Sequence, residues 1–322
     1  MTGGTALVLS GSGAPAAYFG AGVFWALEEA GERPRVVSGV STGAINAFAV
    51  GAGLDGLALA KMWCSIGWTD VYHPRTDLWR AINLGRLLRP TTNVAEYALG
   101  AVGWTWLLDP APLRRTLATH LGPAPIDADG DVTVVLSAVD ETTGAAVRFC
   151  SRLPPARRRD PRFRRVALTV DHVLASAAVP LLFRPGGQPG VDRLDAGLVA
   201  ATPLAPVMRY EPDRVIVVCG ARAGRPVGAP DSLGAAIALL VDNAAHAALA
   251  ADLHHASTVN RLVRAAPAAT VKRYVPLLVI EPAEPDFARG SLLEFAATRA
   301  RRGIAYGREQ AGKALAGWRE RS

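Results

Sequence analysis

Ser41 stands in Gly39-Val40-Ser41-Thr42-Gly43, a Gly-x-Ser-x-Gly motif between a short β-branched run and an Ala-rich stretch. Residues 36–38 read as a strand and the residues after Gly43 as a helix. Between them the chain must turn so tightly that a Cβ two residues before or after the serine would meet the crossing backbone. Glycine removes that clash and tolerates the strained dihedrals. A serine held this way sits at a helix N-terminus, where free N–H groups and the helix dipole favour an anion. The chemistry implied is nucleophilic catalysis by Ser41, with Gly39 and Gly43 shaping the elbow. The plainer alternative is a glycine-rich turn whose serine only caps the helix.

Ser41 comes early, after only two strand-like runs at residues 5–9 and 35–38. An α/β-hydrolase builds several strands before its elbow, so that architecture is not expected. Between the two runs lies Ser10-Gly11-Ser12-Gly13-Ala14-Pro15-Ala16, followed by a helical segment at 17–30. A Gly-rich loop between a strand and a helix offers several N–H groups at one point, which suits an oxyanion or a phosphate. Gly11-x-Gly13-x-x-Ala16 also fits the dinucleotide-binding fingerprint. That fingerprint expects an acidic residue at the end of the second strand, and here the strand ends in Ser38-Gly39-Val40-Ser41. Nucleotide binding is therefore the last of the readings.

Far downstream, Ser176-Ala177-Ala178-Val179-Pro180-Leu181-Leu182-Phe183-Arg184-Pro185 precedes Asp195-Ala196-Gly197, and Pro203 follows. With the Gly-rich loop and the early elbow, these ordered pieces resemble the patatin-like phospholipase family over residues 5–205. Carried over, the resemblance makes Ser41 the nucleophile and Asp195 its partner in a Ser–Asp dyad. Backbone N–H groups around Gly11, Ser12 and Gly13 become the oxyanion hole. The chain departs from the family pattern at Pro15, where an arginine is usual. It departs again at Ala196 in Asp-Ala-Gly, and at Ala201, where an asparagine is common. Pro15 suits the first turn of a helix, which needs no N–H there.

A serine hydroxyl needs an adjacent base, and without a histidine a carboxylate must take its proton. An exposed aspartate titrates at about 3.9 and is a weak base. Burial beside Leu194, Leu198 and Val199 would raise Asp195 toward a useful range. The six histidines are His73, His120, His172, His246, His254 and His255. None lies in a Gly-rich loop context, and a Ser41–Asp195–His254 triad is the alternative to a dyad.

Half of the 322 residues are hydrophobic, which supplies a substantial core. Alternating strands and helices predict an α/β fold, three-layer α/β/α with a largely parallel central sheet. Strands are expected at 6–9, 36–38, 132–138, 147–150, 214–219 and 275–280, and long helices at 232–264 and 291–318. Residues 1–322 read as a single domain. Within it, 60–110 is a Trp-rich helical insertion or cap, and 206–322 supplies C-terminal strands and helices. Cys64, Cys150 and Cys219 make no disulfide framework, and no Cys/His cluster has metal-ligand spacing, so neither metal nor cofactor is expected. No leader and no uncharged run of about 20 apolar residues is read, which predicts a cytoplasmic chain with peripheral membrane contact possible.

The net charge is +7, concentrated in the arginine-rich run 152–165. No nucleic-acid module accompanies that run, so no nucleic acid is expected and anionic lipid headgroups are the preferred partner. Trp63, Trp68, Trp79, Trp104 and Trp106 crowd one segment, consistent with a cap that touches lipid and shapes an acyl pocket. The leading expectation is a serine acyl-ester hydrolase acting on lipids. The alternatives are a catalytically impaired lipid- or partner-binding member, motivated by Pro15 and Asp-Ala-Gly, and an acyltransferase using the same serine. Nothing in the chain specifies an oligomeric state.

Overall fold

The β-branched runs become the centre of the molecule. In a computed structural model, residues 3–77, 80–83, 85, 88, 97, 100–140, 143–184, 194–195, 203–220, 230, 233–284, 287 and 292–319 are described. The chain opens with β1 (Thr5–Leu9), α1 (Gly13–Glu29), β2 (Pro34–Gly39), α2 (Thr42–Gly51) and α3 (Gly56–Ser65). Then come β3 (His73–Pro74), β4 (Trp106–Asp109), α4 (Ala111–Leu121), β5 (Thr133–Asp140), β6 (Ala146–Cys150) and β7 (Phe163–Arg165). Next are α5 (Val170–Ala177), β8 (Leu181–Phe183), β9 (Leu194–Asp195) and α6 (Leu204–Met208). The chain closes with β10 (Arg214–Val218), α7 (Leu233–Ala265), β11 (Leu277–Ile280) and α8 (Ala297–Arg319).

The main sheet runs β11-β10-β1-β2-β5-β6-β7, and β9 also pairs with β5. Strands β11, β10, β1, β2 and β5 are mutually parallel. β6 is antiparallel to β5, and β7 follows β6 in parallel. Alternate residues of a strand point to opposite faces. Leu7, Leu9, Val37, Val134 and Leu136 meet side chains of α1, α2, α3, α5 and α8 on one face. Ala6, Val8, Val135 and Val215 meet α6 and α7 on the other. This is a mixed, mostly parallel sheet between two helical layers, an α/β fold.

Every strand expected from the sequence is present, with ends shifted by a residue or two. Two described parts of the 60–110 segment depart from the helical cap expected there. Its first part ends α3, which packs into the core: Trp63 is fully buried and donates its indole N–H to Asn46 Oδ1 at 2.7 Å. Trp106 lies on β4, in a small sheet ordered β3-β4-β8. The apolar faces of α1 and α8 beside α3 draw Trp63 inward, while 106–109 is extended because it pairs with β3 and β8. Trp79 lies outside the described residues.

Four arginines of the arginine-rich run are tied into the fold. Arg157 and Arg158 both bind Glu211, Arg162 and Arg209 both bind Asp160, and Arg152 donates to Ala128 O and Thr133 Oγ1. Glu211 precedes β10, so the Arg157–Arg158 cluster lies at the N-terminal end of the parallel strands. The elbow and the Gly-rich loop lie at the opposite end. Among the described residues, no helix is long and apolar enough to cross a membrane.

Candidate active site

Loops at the C-terminal ends of parallel strands are where open α/β sheets hold their ligands. Here β1 leads into the Gly-rich loop and β2 into the elbow. β2 stops pairing with β5 at Gly39, opposite Leu136, but β5 runs on to Asp140. One edge of that overhang is held by β6 as far as Val139. The edge that β2 leaves is taken by β9, with Val139 opposite Asp195 and Asp140 opposite Leu194. Val139 is about 10 Å up the strand from Leu136, and neighbouring strands lie about 4.8 Å apart. The backbone of Asp195 therefore comes beside the turn that carries Ser41. Residues 196–202, including Ala196 and Ala201, lie outside the described residues.

The elbow has the strain its residue types imply. Ser41 adopts φ 54°, ψ −128°, in the positive-φ region that non-glycine residues rarely enter. A Cβ on Gly39 would lie 2.2 Å from Gly43 O, and one on Gly43 would lie 2.2 Å from Leu9 O. No side chain fits either place. One on Gly11 would lie 2.7 Å from Ser41 Cβ, so the Gly-rich loop passes directly over the serine.

That loop is strained as well, with Ser12 at φ 139° and Gly13 at φ 68°. Thr42 Oγ1 donates to Gly13 O at 3.0 Å and ties the loop to the start of α2. Among the described residues, the N–H groups of Gly11 and Gly13 meet no acceptor, while Ala14 N–H donates to Leu292 O at 3.0 Å. The N-termini of α1 and α2 converge here, and neither helix has an acidic residue in its first turn. Helix N-termini and N–H groups gathered at one point suit an anion. Pro15 sits in the first turn of α1, where it removes no intrahelical bond.

Ser41 opens on an apolar pocket of about 990 Å³, its open mouth included. Ile45, Val71, Leu113, Leu174, Leu182, Phe183, Leu293 and Phe295 line its walls. Only Ser12, Ser41 and Thr42 bring polar side-chain groups among the described lining residues. A pocket of this kind fits an apolar group, with the Ser12, Ser41 and Thr42 hydroxyls in its lining.

The histidines with described side chains lie elsewhere. His254 and His255 are exposed on α7, and His73 and His120 are exposed. His172 is held at the start of α5 by Thr169 and stacks edge-on against Phe149, and burial lowers its pKa. Cys150 and Cys219 are buried thiols, pushed up to about 11 and about 12 by desolvation, and neither lines the pocket.

A model of the family described as patatin-like phospholipase matches residues 7–208, more than half of the chain. The chain belongs to the patatin-like phospholipase family. No curated protein matches it. Among solved structures, it is similar to VipD from Legionella pneumophila, with 14% identity and a TM-score of 0.46, over 98% of this chain and 67% of that one. It is also similar to the type III effector protein ExoU, with 16% identity and a TM-score of 0.40, over 98% of this chain and 54% of that one. This chain thus spans about half the length of ExoU.

Part of the pocket lies outside the family match. Leu292, Leu293 and Phe295 form one wall, although the match ends at residue 208. Leu292 O caps the start of α1, Leu293 O accepts from the Tyr72 hydroxyl at 3.0 Å, and Phe295 stacks on Trp63. Sequence reading placed these three residues inside a helix over 291–318 that covers the sheet; α8 begins only at Ala297, and the residues before it line the pocket. Ser176 was read only as part of a motif, and its contacts are described below.

Proposed function

We propose that this chain hydrolyses lipid acyl esters, with Ser41 as nucleophile and Asp195 as its general base. Asp195 takes the Ser41 proton as Oγ attacks the ester carbonyl. The tetrahedral oxyanion rests on backbone N–H groups around Gly11, Ser12 and Gly13 and on the two helix N-termini. Each such donor lowers the barrier by about 3 kcal/mol. Collapse breaks the ester C–O bond, and the proton passes from Asp195 to the leaving alcohol. Water then attacks the acyl-Ser41 carbonyl and gives a proton to Asp195; the bond to Ser41 Oγ breaks as Asp195 passes that proton to it, which releases the fatty acid and restores the free serine and the carboxylate.

The observation that carries this reading is the apolar pocket ending on Ser41. Its lining supports selection by the acyl chain and offers no charged side chain, among the described residues, to recognise a headgroup. The surface beside the pocket supports contact with a lipid layer better than the arginine-rich run does. Leu182 and Phe183 of β8 face the pocket while Leu181 is 53% exposed, and Trp68 is 49% exposed. Trp106 next to them lies under the Arg75 and Arg184 guanidinium groups. Tryptophan and arginine so placed suit a boundary between lipid and water.

The test is intact-mass analysis after treatment with a fluorophosphonate. One adduct on the wild type, none on Ser41→Ala and much slower labelling of Asp195→Asn are expected. A folded wild type that takes no adduct would overturn the reading. It would favour a binding role instead.

A further inference from the structure

The elbow is tied to the sheet through one buried hydroxyl. Ser176, near the end of α5, is fully buried. The Ser41 N–H points at it and donates to both its carbonyl oxygen, at 3.1 Å, and its Oγ, at 3.2 Å. Ser176 Oγ in turn donates to Ser137 O at 2.6 Å. Ser137 lies on β5, two residues before Val139, the partner of Asp195 in the strand pairing. One hydroxyl therefore accepts from the backbone of Ser41 and donates to the strand against which β9 lies.

Two consequences follow from this arrangement. The strained φ of Ser41 is held from outside the elbow, since the local turn alone does not favour it. The Ser41 N–H is also already committed, so it is not among the oxyanion donors. We infer that Ser176 is a positioning residue: its hydroxyl sets the separation between the backbone of Ser41 and β5, the strand against which β9 and Asp195 lie. Its loss slows the chemistry of Ser41 out of proportion to its effect on folding. This inference rests on the proposed function of Ser41 and Asp195.

The control is Ser151→Ala. Ser151 is also buried, and its Oγ accepts from Val134 N–H at 3.1 Å, on the same strand but at its other end. Both variants delete a buried hydroxyl that bonds β5, so a purely structural role predicts equal effects. The rate of fluorophosphonate labelling, kcat and KM on a soluble acyl ester, and Tm are measured for wild type, Ser176→Ala, Ser176→Cys and Ser151→Ala. Displacements of about 1 Å can cost about 100-fold in rate. Ser176→Ala is expected to lose about 10- to 100-fold in labelling rate and in kcat with KM unchanged. Ser151→Ala should label like the wild type at a comparable Tm. Ser176→Cys keeps the shape with a weaker donor and acceptor, and falls between.

Equal labelling of wild type and Ser176→Ala overturns the inference and leaves the proposed function standing. A fall in Ser151→Ala as large as that in Ser176→Ala also overturns it, because the effect is then general destabilisation. If Ser176→Ala does not fold, Ser176→Cys decides: wild-type labelling overturns the inference, and a several-fold loss supports it. A wild type that takes no adduct overturns this inference and the proposed function together.

Discussion

Replacing Gly43 by alanine tests the contact argument for the elbow. The added Cβ would lie 2.2 Å from Leu9 O and 2.6 Å from Ser10 O. Carbon and oxygen ordinarily approach to about 3.3 Å, so about 1 Å of movement is required. Both oxygens are backbone atoms at the end of β1, and the residues they carry run directly into Gly11. No flexible side chain can absorb the shift, so the loop must move relative to Ser41. Overpacking of this kind costs about 1–3 kcal/mol. In a chain of this size that lowers Tm by roughly 2–6 °C. A 1 Å displacement of the N–H groups from the reacting carbonyl should slow labelling by about 100-fold. Gly31→Ala is the comparison: its φ is +80° and nothing lies within 4 Å of the new Cβ. It should cost about 1–2 kcal/mol through the left-handed backbone and leave labelling unchanged. The assay pairs thermal melts with fluorophosphonate labelling rates. Gly43→Ala labelling at the wild-type rate, or Gly31→Ala labelling as slowly as Gly43→Ala, would refute the argument.

Asn46 is fully buried in α2, donates to Ala17 O at 2.9 Å and accepts from Trp63 Nε1 at 2.7 Å. Asn46→Leu strands the buried Trp63 indole N–H, while Ala17 O keeps its bond within α1, and should cost about 1–3 kcal/mol in urea denaturation; a loss below about 0.5 kcal/mol would show that the bond to Trp63 matters little. The guanidinium groups of Arg157 and Arg158 hold the Glu211 carboxyl down from 4.5 to about 2. Because the folded value is the lower one, this stabilisation is present above about 4.5 and is lost as pH falls toward about 2. Tm of Glu211→Gln should therefore fall less steeply than wild type across that range, and superimposable Tm–pH curves would exclude the effect.

The elbow and the Gly-rich loop were legible because their constraints are local. A strand, a turn too tight for Cβ atoms and a helix start leave glycines at fixed offsets from Ser41, and Gly11 follows the same logic across the β1–α1 turn. The strands were legible through β-branched composition. The fate of the tryptophans was not. An aromatic-rich segment fits a lipid-facing cap as well as a core, and the Asn46 amide under Trp63 decides for the core at that position. The ion pairs of the arginine-rich run were not legible for a similar reason, since the sequence does not show that Glu211 comes to meet Arg157 and Arg158.

By itself, then, the sequence determined the parallel α/β pattern, the strained serine and the loop that crosses over it, all of which follow from short-range sterics and side-chain alternation. Only the tertiary structure decided what surrounds that serine. It set β9 on the part of β5 that β2 leaves free, joined Ser41 to Ser176 across a sequence separation of 135 residues, and built a pocket wall from Leu292, Leu293 and Phe295. Those contacts join residues far apart in the chain through backbone pairing and close packing. They leave no periodicity or turn signal, and they exist only once the sheet and both helical layers have assembled.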